Sequence, residues 1–181
     1  MAETAAEIIR RYLDDAIAAE KSFESQLRAF ADEGDDAEVQ GLFAQHADET
    51  QLQHERLTAR LEELGGRPST SKSALARVFA FAPRMMHVAQ QPDERVAQNL
   101  IVAFSVENSE CAMYEALIAV ARYARDTATE VLARDMQAQE KAAADKVWRF
   151  IPSRAKIAYN VLTAGELDPA VETHVHDNPI R

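Results

Sequence analysis

The sequence predicts an all-α protein: an antiparallel four-helix bundle with a long crossover between the second and third helices and a short C-terminal fifth helix. Three observations carry that prediction. The 181 residues include only 5 Gly and 6 Pro and are rich in Ala, a composition that favours helix. Four long stretches place apolar residues at alternating gaps of three and four, the period of a single buried helical stripe. In both halves of the chain, Glu interrupts those stripes at matching depth.

The first helix is expected from about Thr4 to Ala31, with the seam Ile9, Leu13, Ala16, Glu20, Phe23, Leu27 and Phe30. Glu20 sits in mid-seam with the register intact on both sides. Glu33-Gly-Asp-Asp36 breaks the pattern and supplies turn and N-cap residues. The second helix covers about Ala37 to Leu64, with Leu42, His46, Glu49, Gln53, Leu57, Leu61 and Leu64 on its seam. Its centre is therefore polar. Gly65-Gly66 ends it as a C-cap signal.

Residues 66 to 92 form the crossover, long enough to travel the length of a bundle. Within it, Ala74 to Ala82 reads as a short apolar helix stopped before Pro83, and a second piece covers Arg84 to Gln90. The third helix spans about Glu94 to Ala124. Its seam runs Val96, Leu100, Ala103, Tyr114, Leu117, Ala121, and Glu107 and Glu110 fall on it in register. A carboxylate on a core face costs on the order of several kcal/mol unless it is paired or bound to a metal. The fourth helix, about Ala128 to Ile151, has the seam Ala133, Met136, Glu140, Ala143, Val147, Phe150, and Pro152 stops it. Ser153 to Ala164 is expected as the fifth helix. Residues 1–164 thus form the bundle, and 165–181 an irregular tail.

An internal repeat organises the carboxylates. Glu110 follows Glu20 by 90 residues, and Glu140 follows Glu49 by 91. Each lies roughly 14 to 16 residues from its hairpin turn, or about 21 to 24 Å at the helical rise. Four carboxylates from four helices can then converge near the bundle midpoint. No Lys or Arg falls on the seams to neutralise them, whereas Fe, Mn or Mg would. His46 lies three residues before Glu49 on the same face and Gln53 four after it. Either could complete a site, although the usual order, with His three residues after Glu on two helices, is absent.

Composition narrows the function classes. A hydrophobic share of 47% with 28% charged residues is neither disordered nor membranous. A net charge of −10 argues against nucleic acid and anionic membranes as partners and suits cations. The single Cys111 forms no internal disulfide, the first residues lack the pattern of a signal peptide, and no apolar run approaches a membrane span. A cytoplasmic setting is expected. Cys111 reads as a small core residue and Trp148 as core material. Tyr114, one turn from Glu110, either donates to a carboxylate or packs. His54 and His87 read as surface residues, and His174 and His176 as part of the tail.

Several short motifs resemble the ferritin superfamily, and within it the YciF-like stress-associated branch. They are Ala18-Ala-Glu-Lys21, His46-Ala-Asp-Glu49-Thr50 with Glu55-Arg-Leu57, Leu64-Gly-Gly-Arg-Pro-Ser69, Val106-Glu-Asn-Ser-Glu110 with Tyr114, and Glu140-Lys-Ala142. The Glu-x-x-Glu at 107 and 110 also resembles the third-helix motif of rubrerythrins. The resemblance covers about residues 10 to 150. It implies a ferritin-like up-down-down-up bundle, a homodimer, and a dinuclear iron or manganese centre. The ligands it implies are Glu20, Glu49, Glu107, Glu110 and Glu140. The chain departs from the motif at Asn108, where His is usual, and at Ala144, where an acidic residue is usual. Two readings follow. One is a metal-binding protein that reacts its metal with oxygen or peroxide under stress. The other is an interaction bundle with a degenerate, metal-poor site, with the segment Ala74 to Met86 as its dimer or partner surface.

Overall fold

The computed structural model describes residues 3–69, 89 and 91–163. They form four helices: α1 (Ala5–Ala31), α2 (Ala37–Glu63), α3 (Pro92–Tyr123) and α4 (Thr127–Leu162). The two short helices expected between 74 and 90, His87, and the tail with His174 and His176 lie outside the described residues.

Capping chemistry sets the helix ends. Thr4 opens α1 with a capping box: its hydroxyl accepts from the Glu7 N–H, and its own N–H donates to the Glu7 carboxylate at 2.7 Å. Asp36 caps α2 by accepting from the N–H groups of Glu38 and Val39. Asp126 caps α4 by accepting from the Thr129 N–H at 3.0 Å. Gly65 ends α2 at φ +74°, and the N–H of Gly66 returns to the Leu61 carbonyl at 2.9 Å. A Cβ on Gly66 would meet the Leu61 side chain at 2.5 Å, so that turn has no room for a larger residue. Arg125 fills the equivalent left-handed position after α3, at φ 60°.

α1 pairs with α2 and α3 with α4, and the hairpins join through α1 on α3 and α2 on α4. The apolar core falls into two clusters, one at each end. One holds Phe23, Leu27, Val39, Phe43, Leu100, Ala103, Val106 and Val147. The other holds Ile9, Leu13, Leu57, Leu61, Leu117, Ile118, Ala133 and Met136. α1 and α4 run from the second cluster to the first, whereas α2 and α3 run the other way. That order is up-down-down-up, so α2 and α3 are parallel and need the long crossover.

Two details of the expected fold are corrected. Pro152 does not stop the fourth helix, and residues 153–162 continue α4 instead of forming a separate fifth helix. Proline there costs the bond to the Trp148 carbonyl. The segment beyond it is anchored by Arg154, whose guanidinium meets Asp36 at 2.7 Å and Glu38 at 2.7 Å and stacks 4.8 Å from the Phe150 ring. Trp148 is not core: it is 53% exposed, with its ring 5.0 Å from that of Phe104. No described helix is long and apolar enough to cross a membrane.

Candidate metal centre

Between the two apolar clusters lies a polar layer to which every helix contributes. α1 supplies Glu20; α2 supplies His46, Thr50 and Gln53; α3 supplies Glu107 and Glu110; α4 supplies Glu140. All seven are buried. Each takes a seam position that Leu would fill at either end of the bundle, so the same periodicity that builds the core drives these groups inward. Among the described residues no Lys or Arg is buried with them.

The layer satisfies part of its own hydrogen bonding. The Tyr114 hydroxyl donates to Glu20 Oε1 across the α1–α3 interface. The Gln53 amide donates to Glu140 Oε1. His46 Nε2 meets Glu107 Oε1. Ligand atoms of His46, Glu107 and Glu140 all lie within 4.8 Å of one another. What remains is unsatisfied. Glu20 Oε2, Glu107 Oε2, Gln53 Oε1, His46 Nδ1 and both oxygens of Glu110 are buried without a hydrogen-bond partner. Orphaned buried acceptors of this kind cost about 1–3 kcal/mol each. Their chemistry, carboxylate and amide oxygens and one imidazole nitrogen with no Lys or Arg among them, fits a divalent cation.

Electrostatics point the same way. Burial pushes the Glu20 carboxyl up to about 8, against the Tyr114 bond that lowers it, and the charge of Glu107 adds to the rise. Burial drives Glu110 and Glu140 well above the usual carboxylate range, and the neighbouring carboxylates push them further. Burial also lifts the Tyr114 phenol, and the charge of Glu20 lifts it again. For His46, burial favours the neutral ring, but Glu107 and Glu49 outweigh it and raise the imidazole to about 9. Without a metal, the layer therefore holds protons.

Glu49 stands apart from the layer. Its side chain is 38% exposed at the rim, 3.6 Å from His46 Nδ1 and 3.5 Å from Lys146 Nζ, and it accepts from Gln45 at 2.8 Å. His46 beside it holds its carboxyl down to about 2. The reason is helical phase. The N-caps Asp36 and Asp126 are 90 residues apart, as are Glu20 and Glu110, so the partner of Glu140 in the repeat is Thr50 and not Glu49. One residue turns the helix by about 100°. Thr50 is buried, and it is the layer residue that the seam reading passed over. The spacing of the two N-cap aspartates was the available signal. Cys111 is half-buried and its thiol is pushed up by burial, which suits a packing residue. His54 is half-exposed.

Comparison with known proteins agrees with this architecture. The family model described as "Domain of unknown function (DUF892)" matches residues 4–159, and the chain belongs to that family. A protein from Xanthomonas campestris shares 25% identity and a TM-score of 0.69 over 91% of this chain and 100% of its own. The E. coli stress protein YciF shares 22% identity and a TM-score of 0.74 over 86% and 99%. A ferritin-like diiron-carboxylate protein from Bacillus anthracis shares 20% identity and a TM-score of 0.66 over 83% and 99%. The fold is that of the ferritin-like bundles, shared with YciF and with the diiron-carboxylate protein.

Proposed function

We propose that this DUF892 member binds one or two divalent cations, iron or manganese, in the polar layer, and that it serves in a stress response as a homodimer. The observation that carries the reading is Glu110, wholly buried with both oxygens unpartnered and flanked by three more buried carboxylates. The proposed ligands are His46, Glu107 and Glu140, whose donor atoms already converge, with Glu110 and Glu20 for a second ion. Gln53 orients Glu140, and Tyr114 orients Glu20. The rim position of Glu49 argues against a place among the resident ligands. The likeness to a diiron-carboxylate protein and to a stress protein supports the metal type and the setting. A bound iron or manganese pair supplies one-electron chemistry toward oxygen or peroxide. The protein's part is to exclude water and to release the protons that the cation displaces from the carboxyl groups.

A second reading rests on the internal hydrogen bonds. Tyr114, Gln53 and His46 each hold a carboxylate in the absence of metal, as a protonated, metal-poor bundle would require. Metal content decides between the two. Protein purified without tag or chelator, before and after anaerobic Fe(II) addition, is expected to carry one to two metals per chain by elemental mass spectrometry. Content at background in both samples rejects the metal reading in favour of the interaction bundle.

A further inference from the structure

A fully buried cation site needs a way in, and one surface pocket has a residue of the layer in its lining. A shallow pocket opens between α2 and α4, with Phe43, His46 and Glu49 on one wall and Ala143, Lys146 and Val147 on the other. The His46 side chain is only 6% exposed and forms the inner end of this pocket. Its two ring nitrogens serve different sides. Nε2 meets Glu107 in the layer, while Nδ1 has no hydrogen-bond partner and lies 3.6 Å from the Glu49 carboxylate, beyond hydrogen-bond length. Glu49 in turn reaches solvent, with one oxygen shared between the Gln45 amide and Lys146 Nζ. Ala143 contributes only a methyl group to the pocket lining.

We propose that this pocket is the port through which a divalent cation reaches the layer, with Glu49 as the transit carboxylate and Lys146 as the counter-ion that the cation displaces. The inference rests on the reading of the layer as a metal centre. A transit ligand must be charged, half-exposed and weakly held, so that it captures a hydrated cation and releases it again. Glu49 is charged and half-exposed, and its two cationic contacts are long, at 3.6 and 3.5 Å, whereas the buried carboxylates are neither exposed nor exchangeable with solvent. The 3.5 Å contact with Lys146 is a mostly solvated ion pair, which is worth little and exchanges readily. His46 Nδ1, 3.6 Å from the Glu49 carboxylate, is the next ring nitrogen inward. Lys146 opposes cation entry by its own charge, so its removal should speed loading, whereas loss of the Glu49 charge should slow it.

The test is the rate of Co(II) uptake by the metal-free protein, followed by stopped-flow absorbance, with final cobalt content measured by elemental analysis. Circular dichroism confirms folding of each variant; Glu49 and Lys146 are partly exposed, so their substitution does not open the core, and the buried Ala143 is the position where this check matters most. Glu49→Gln is expected to load about tenfold or more slowly than the wild type, the scale by which a charged cleft raises on-rates. Its final cobalt content should be unchanged. Lys146→Met is expected to load faster, and Ala143→Leu, which narrows the pocket, more slowly. Equal loading rates for Glu49→Gln and the wild type overturn the port. Loss of final cobalt in Glu49→Gln also overturns it, because Glu49 is then a resident ligand. A wild-type protein that takes up no cobalt rejects the metal centre itself, which separates that failure from failure of the port alone.

Discussion

Glu110 shows how far one side chain departs from the rule of its position. On α3 it occupies a core site, and neither of its oxygens has a hydrogen-bond partner. Glu110→Ala is expected to abolish metal binding at the second ion's site, read as lost metal per chain. In metal-free protein at pH 8, Glu110→Leu is expected to raise stability by about 1–4 kcal/mol, because an apolar side chain of similar volume replaces a buried acid. A lower melting temperature for the Leu variant would show that Glu110 has a partner in the metal-free state. The pH profile follows from the same layer. Glu20 holds its proton up to about 8 when folded but releases it near 4.5 when unfolded. Between those values the folded state binds more protons, so stability falls as pH rises. His46, raised to about 9 from 6.5, stabilises fully below 6.5 and loses that contribution as pH rises through 9. Glu49, lowered to about 2, contributes above 4.5 and loses its part as pH falls through 2; its exposure makes the effect small. The melting temperature of metal-free protein is therefore expected to peak near pH 5 and decline toward pH 9, as measured by thermal denaturation. A flat or rising profile over that range would contradict the protonated layer.

At the scale of elements, two arginines tie the hairpins together. Arg60 of α2 grips Asp126, the N-cap of α4, at 2.8 Å, and also donates to the Thr129 hydroxyl at 2.9 Å. Arg154 of α4 grips Asp36, the N-cap of α2, at 2.7 Å. Each helix thus holds the start of the other, and both pairs are largely shielded from solvent. Arg60→Ala is expected to cost about 1–3 kcal/mol, the range for a charge-assisted bond lost from a half-buried acceptor. Arg154→Ala is expected to do more locally: hydrogen exchange of residues 153–162 should accelerate, while α4 before Pro152 stays protected. Uniform protection across Pro152 in that variant would mean that Arg154 does not anchor the extension. The helices themselves were legible in the chain, because their 3–4 periodicity and turn residues are local signals. The continuation past Pro152 was not, because it depends on Asp36 and Glu38, more than a hundred residues away.

For the whole molecule, the two apolar clusters and the polar layer between them form one cooperative unit. A cation held only by the folded state should stabilise all of it. At a free metal concentration a hundredfold above Kd, the gain is about 2.7 kcal/mol, seen as a concentration-dependent rise in melting temperature. No rise with Fe(II), Mn(II) or Co(II) would remove the metal from the account. The exposed Trp148 with Phe104, and the exposed Ile101 on α3, give the bundle an outward apolar patch that suits the proposed dimer. Light scattering on the purified chain tests it, with a mass near twice 20.1 kDa expected.

The chain alone determined the four long helices, their order in two hairpins, and the burial of Glu20, His46, Gln53, Glu107, Glu110 and Glu140. Each of these follows from periodicity within a single helix, which depends only on neighbours three and four residues apart. Tertiary structure decided the rest. It put Thr50, and not Glu49, at the inward position of α2, a choice that the three-and-four spacing through His46 and Gln53 leaves open. It paired Tyr114 with Glu20 and not with the nearer Glu110, and Gln53 with Glu140. Such pairings join residues 87 and 94 positions apart, and helical spacing holds no information about which face of one helix meets which face of another.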